Sequence, residues 1–429
     1  MRHSVLKRCI VLMVLVLFAG FSVFAGGSKE EPKEQGKTEE MAKEEKIVIE
    51  FWSWNNEGSY PIVHEDAEKR FEADHPNVDI KREYISYTEY LVKLKAVLSG
   101  EEAPNVFQIP WAGEYTELAR SGKLLPLTDH LKNGFPEFFP NIMNAISVDG
   151  DAWAVPLDLN TLQIAYNKTL FEEMGFGIPK SNTELIRMAQ KLADEGKFAV
   201  ALGTKDLWAG ADVFFAQIAY TDPSHTKMAK ADAGEISWNS PEFLKAVQIV
   251  DEYTKKGVIA PGANSMDAFV GAKNLFVQQQ AAMFYPVGNF VTGGITADVG
   301  DSFEWSLFPW PPLKAGDEML PTGGVAEMFV VAKDSDNQDV ALDFLRYLTN
   351  DAGKEILVKN DFIPSSDFSG DVEMTDLYSN MLNAQSKSQS RVVYNTIVYT
   401  AVMNGMQGIY GQTLTPQEFI DSLVEAAAK

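Results

Sequence analysis

The sequence predicts an α/β protein built as two lobes, and three observations predict it. At 429 residues the chain is too long for one ordinary hydrophobic core. With 45% hydrophobic and 23% charged residues, its composition is that of a globular protein, neither fibrous nor disordered. Over residues 47–109 the pattern runs strand, helix, strand, helix, strand, which is the order that builds a parallel sheet.

The elements follow in chain order. "MRHSVLKR" is basic, "CIVLMVLVLFAGFSVF" is apolar, and Val23 and Ala25 stand at −3 and −1 before Gly26. This is the pattern of a secretory signal peptide, 1–25, with cleavage expected after Ala25. The rival reading is an uncut anchor, since the run approaches spanning length. Residues 26–46 have almost no apolar content and mixed charge, and read as a disordered tether.

"IVIEFWSW" (47–54) then reads as a buried strand, followed by a helix through "HEDAEKRFEAD" that stops before "HPN". The strand "VDIKREYI" (78–85), the helix "TEYLVKLKAVLSG" and the strand "NVFQI" (105–109) complete the first unit. "SVDGDAWAVP" carries an Asp-Gly pair between short runs, a hairpin signal. In the apolar stretch 152–179, Asp158 and Asn160 interrupt the pattern without a turn signal.

Beyond it come the helix "NTELIRMAQKLADEG", the strand "FAVAL" and a helix from Trp208. Helices at 240–256 and 268–279 precede the strands "AAMFYP" (281–286), "EWSLFPW" (304–310) and "VAEMFVVAK" (325–333). Val340, Ala341, Phe344, Leu345 and Leu348 fall on one helical face. The last helix opens at "TPQEF", with Thr415 as N-cap and Pro416 in its first turn.

Charge and cysteine usage narrow the function. The net charge of −23 falls to −26 once the leader's Arg2, Lys7 and Arg8 are gone, which argues against nucleic acid or an anionic membrane as partner. The one cysteine, Cys9, belongs to the leader, so the mature chain has neither a disulfide nor a lipid acceptor. A periplasmic monomer, free of lipid, is expected.

Phosphate-loop, zinc and nucleophile-elbow motifs are missing, and His64, His75, His130 and His225 are scattered. No metal or cofactor is expected. Acidic residues are plentiful, but no pair stands out as a glycosidase dyad, and "NKT" (167–169) is too short a match to carry weight.

The tryptophans say more. Trp54, Trp111 and Trp310 end strands, and Trp208 opens a helix after one. In open α/β sheets, ligands sit outside the carboxyl ends of the strands. Aromatics at separate strand ends, beside Asn55, Glu114 and Asp212, suit a ligand with apolar faces and hydroxyl edges, and sugars have that character. Trp52, Trp153 and Trp305 lie inside apolar runs and read as core.

The order of these motifs resembles the family 1 extracellular solute-binding proteins of ABC importers, the class that includes maltodextrin-binding proteins. The resemblance is carried by "IEFWSW", "LARSGKLLPLTDHL" (118–131), "DGDAWAVPLDLNTLQIAYNKTLFEEMGFGIPKSNTEL" (149–185), "LFVQQQAAMFYPVGNF" (275–290) and "PTGGVAEMFVVAKDSDNQDVALDFLRYLTNDAGKE" (321–355). It implies a periplasmic-binding-protein type II-like fold: two α/β lobes, several crossovers, and a ligand cleft between.

On that pattern 47–157 and 306–349 form the amino-terminal lobe, and 158–305 with 350–429 the carboxy-terminal one. The first crossover falls near Pro156, and Asp158 and Asn160 face the cleft; the plain alternative is that they bond neighbouring backbone. The pattern also points to Trp54, Asn55 and Asn56, to Trp111 and Glu114, to the stretch from Tyr285 to Asn289, and to Gly323 and Gly324. Asn289 stands where maltodextrin binders often stack an aromatic on the sugar, a departure that speaks against maltodextrin itself.

The implied function is a receptor that binds a carbohydrate between its lobes and delivers it to membrane permease subunits. Two alternatives stay open at the level of sequence: the same scaffold holding a polyamine through carboxylates and cation–π contacts, and a glycoside-degrading enzyme.

Overall fold

The β-branched and aromatic run at the start of the first lobe forms β1 (Ile47–Ser53), which pairs in parallel with β2 (Val78–Tyr84) and β3 (Val106–Gln108). The computed structural model describes residues 46–54, 59–100, 103–110, 113–390 and 395–429. The leader, the tether up to residue 45, and Asn55, Asn56 and Trp111 lie outside these residues.

The crossovers are α1 (Tyr60–Asp74) and α2 (Tyr87–Leu98). α1 buries Tyr60, Val63, His64, Ala67 and Phe71, the i, i+3, i+4 spacing of one helical face. It ends ahead of His75-Pro76, where the residue before proline is pushed out of the helical region. The Asp-Gly hairpin is present as β4 (Ser147–Val148) and β5 (Asp151–Ala152), with Asp149 and Gly150 both at positive φ, as its tight turn requires.

The chain changes sheets at Leu157. β6 (Val155–Pro156) closes the edge of the first sheet, and β7 (Asp158–Asn167) opens the second. β7 is the centre of that sheet. β8 (Phe198–Leu202) runs parallel to β9 (Ala281–Val287), while β9, β10 (Trp305–Phe308) and β11 (Thr322–Val325) run antiparallel to β7.

The apolar stretch 325–333, expected as one strand, is divided. Val325 ends β11 in the second sheet, and β12 (Met328–Val331) returns to the first, antiparallel to β3 and β6. A third passage follows β13 (Ile363–Pro364), where Ser365 Oγ donates to Pro156 O at 2.6 Å. β14 (Gln389–Ser390) pairs with β11.

Two expected lobe boundaries differ in consequence. Residues 306–325, placed in the amino-terminal lobe, contain β11 and all of β10 but Trp305, and both strands hydrogen-bond to β7 in the second sheet. The helix Asp351–Lys359, placed in the carboxy-terminal lobe, packs on α1. Apolar periodicity shows that a segment is buried but not which sheet buries it.

Two hydrophobic clusters fill the interior, and the first extends from the first sheet onto Ala165, Phe284 and Val287 of the second sheet. Phe51, Phe71, Phe329 and Phe344 meet edge to face at 4.9–5.4 Å in the first. Ile164, Val200, Leu202, Phe214 and Phe243 fill the second. Thr415 caps the final helix Pro416–Ala427 in a reciprocal pair with Glu418. Among the described residues no helix is long and apolar enough to cross a membrane.

Candidate functional site at the crossover

Asp158, the first residue of β7, is fully buried. Its Oδ1 accepts the backbone N–H of Glu327 at 3.0 Å, and its Oδ2 accepts the Tyr60 hydroxyl at 3.0 Å and Asn289 Nδ2 at 2.7 Å. Tyr60 begins α1 in the first lobe, Asn289 begins a helix (Asn289–Val299) of the second, and Glu327 lies in the β11–β12 passage. One carboxylate therefore collects donors from both lobes at the point where the chain changes sheets. Around it, Leu157 N–H donates to Glu327 O at 2.8 Å and Ala326 N–H to Asp158 O at 2.9 Å.

The electrostatics are those of a closed interior. Burial, and then the Glu327 carboxylate nearby, push the Asp158 pKa well above the ordinary carboxylate range, against the pull of the donors that favour its charged form. Burial also drives the Tyr60 phenol well above its usual value, followed by the charges of Asp158 and Glu327. Glu327 Oε2 lies 2.9 Å from His64 Nε2, and His64 Nδ1 is 3.1 Å from the Tyr84 hydroxyl, all inside the first lobe.

Asp158 and Asn289 were expected to face ligand. The structure places them against protein: Asp158 takes donors from Tyr60, Asn289 and the Glu327 backbone, and Asn289 Nδ2 donates to Asp158 and Leu159 O while its Oδ1 has no hydrogen-bond partner among the described residues.

Asn160 differs. It is 4% exposed, and among the described residues its Oδ1 has no hydrogen-bond partner. Directly across the ladder is Gly324, at φ +150°, where an added Cβ would meet nothing within 4 Å. A bare strip of backbone at Gly324 thus borders open space, while the Asn160 oxygen on the facing strand is enclosed. At Gly323 an added Cβ would lie 2.4 Å from Asn160 O, so the strands approach only because this residue lacks one.

The second feature is aromatic. Trp208 opens the helix Trp208–Thr221 after β8, Phe269 lies in the π-helical turn Ala268–Ala272, and Phe290 follows the end of β9. Their rings are half-buried, with centroids 5.9 Å apart for Trp208–Phe269, 5.5 Å for Phe269–Phe290 and 6.4 Å for Trp208–Phe290. Gly288 makes room for Phe290: a Cβ there would fall 2.6 Å from Phe290 Cε1 and 3.4 Å from Leu162 Cδ2. Leu162 shares a strand face with Asn160, so Phe290 lies along the same side of β7. The trio sits outside the carboxyl ends of β8 and β9, the place where open α/β sheets take ligands.

The remaining expected residues divide. Trp54 is half-buried at the end of β1, its ring edge-on to Tyr90 at 5.0 Å. Glu114 is half-buried in the first turn of the helix Gly113–Arg120. Asp212, one turn after Trp208, is buried. Tyr285 and Trp310 are core: Trp310 stacks on Tyr253 at 5.3 Å, meets Tyr285 at 5.2 Å, and is 1% exposed. Trp310 was placed in the cleft because it ends a strand, but the turn beyond β10 folds it back over the second core.

The model of the bacterial extracellular solute-binding proteins matches residues 54–355. The chain belongs to this family. Among its relatives, this solute-binding protein is 23% identical over 321 residues to the multiple sugar-binding protein of Streptococcus mutans serotype c, with 72% of each chain covered.

A solved structure from work on xylan utilization by Caldanaerobius polysaccharolyticus superposes with a TM-score of 0.79 at 22% identity, over 88% of this chain and 99% of that one. A chitin oligosaccharide binding protein gives 0.78 at 21%, over 90% and 100%. The fold is that of the type II periplasmic binding proteins.

Sequence reasoning missed Phe269, Phe290, Tyr60 and Glu327 in this solute-binding protein. Phe290 carries the same local signal as the tryptophans, an aromatic just past the end of a strand. Tyr60 and Glu327 carry no local signal, since their role depends on Asp158, 98 and 169 residues away.

Proposed function

We propose that this solute-binding protein binds a sugar or oligosaccharide outside the cytoplasmic membrane and delivers it to the permease subunits of an ABC importer. The observation that carries the reading is the half-exposed trio of Trp208, Phe269 and Phe290 at the carboxyl ends of β8 and β9. Aromatic faces accept the C–H face of a pyranose, while the bare backbone at Gly324 suits hydroxyl edges. The names of relatives, which include multiple sugars and chitin oligosaccharides, support the same class. Trp54 and Glu114 of the first lobe are proposed to complete the site when the lobes close, a hinge motion about the passages at Leu157 and Ala326–Glu327.

The polyamine reading loses support, because Asp158 is spent on protein donors and Asp212 is buried. A thermal-shift screen of the mature protein against raffinose, xylotetraose, chitotetraose, galactose and spermidine tests the proposal, since a ligand bound only by the folded state raises the melting point. A shift with one or more sugars is expected. A shift with spermidine and none with any sugar overturns it.

A further inference from the structure

We propose that Leu207 is a positioning residue: a strained backbone turn there holds the Trp208 ring against Phe269 and Phe290. The proposal rests on the reading of those rings as the sugar platform. Leu207 has φ +55° and ψ −54°, and Trp208 N–H donates to Asp206 O at 2.5 Å across it. A three-residue turn with its centre at positive φ and negative ψ is the rare, strained hand of the γ-turn. A side-chain-bearing residue adopts it only where the surroundings leave no other course.

The surroundings do so. Leu207 N–H donates to Thr204 O at 2.9 Å, Thr204 N–H to Ala263 O at 2.9 Å, and Lys205 N–H to Met266 O at 3.0 Å. Ala268 N–H donates to Asp206 Oδ2 at 3.1 Å, and Gln407 Nε2 to Thr204 O at 2.6 Å. Gly203 runs so close to the facing segment that an added Cβ would lie 2.3 Å from the Asp267 carbonyl. Residues 203–207 are thus clamped to residues 263–268, and those two segments lead directly into Trp208 and Phe269. Trp208 is the first residue of its helix, so the turn before it sets the direction of its Cα–Cβ bond, from which the ring reaches Phe269 and Phe290.

The test compares Leu207→Ala with Leu207→Gly in the full mature protein. Both remove the leucine side chain, so lost packing is shared, but only glycine relieves the positive φ. Leu207→Gly is expected to melt about 2 °C above Leu207→Ala, reversing the usual order for this pair.

Trp208 emission, isolated by subtracting each variant's Trp208→Phe counterpart, is expected to be more open to acrylamide quenching in Leu207→Gly than in Leu207→Ala. Leu207→Ala melting at or above Leu207→Gly, or equal quenching in the two, overturns the proposal. The platform reading fails separately, through a sugar screen without a sugar or a Trp208→Ala variant that binds as the parent does. Neither of those results alters the melting order or the quenching.

Discussion

Asn289 Nδ2 donates both to Asp158 Oδ2, at 2.7 Å, and to Leu159 O, at 2.8 Å. One side-chain amide of the second lobe therefore holds the two residues by which the chain enters that lobe. Tyr60 completes the clasp from the first lobe, and at Gly293 an added Cβ would come 2.3 Å from Ser59 Oγ, so the starts of these two helices lie against each other. Asn289→Ala is expected to lower unfolding stability by about 2–3 kcal/mol, because it strips a fully buried carboxylate of its shortest donor. Urea unfolding checks this; an unchanged midpoint would remove the clasp from the account.

Asp158 also makes a prediction about pH. Its folded pKa lies above the ordinary carboxylate value, so the native state binds its proton more tightly than the unfolded chain. Its contribution therefore falls as pH rises from about 3.9, the unfolded value, towards the raised folded one. Over that window the unfolding free energy of Asp158→Asn should decline less with pH than that of the parent. Parallel pH profiles for the two proteins would show that Asp158 titrates normally in the fold.

The aromatic residues separate by position. Trp208→Ala and Phe290→Ala should each weaken sugar binding by about 1–3 kcal/mol while changing stability less, because their rings are half-exposed. Trp310→Ala should do the reverse, with a stability loss of about 3–5 kcal/mol from a ring packed between Tyr253 and Tyr285. Calorimetry and denaturant unfolding of the three variants decide it. A large loss of affinity confined to Trp310→Ala would move the site to the second core.

The expected leader carries a prediction about secretion and processing. The mature protein should begin near Gly26 and carry no lipid, since the one cysteine, Cys9, precedes the cut. Mass spectrometry of the protein from its native envelope is the check, and an acylated or uncut amino terminus would contradict the expectation.

The sequence by itself determined the layered α/β character, because strand and helix periods are local and each apolar face must be buried somewhere. The polar break at Asp158 and Asn160 flagged the segment as unusual, the family resemblance placed a crossover there near Pro156, and the strand pattern marked Trp208 at a strand end. The sequence did not show what Asp158 is for. That answer needs Tyr60, Asn289 and Glu327, whose approach exists only once both sheets are assembled. The same holds for the apolar stretch 325–333, which reads as one strand and is two, in different sheets. It holds again for Trp208 and Trp310, alike in their local setting, one half-buried beside Phe269 and Phe290 and the other enclosed between Tyr253 and Tyr285. Local pattern fixes which residues must leave water; which partner they meet depends on long-range pairing that no short window of sequence contains.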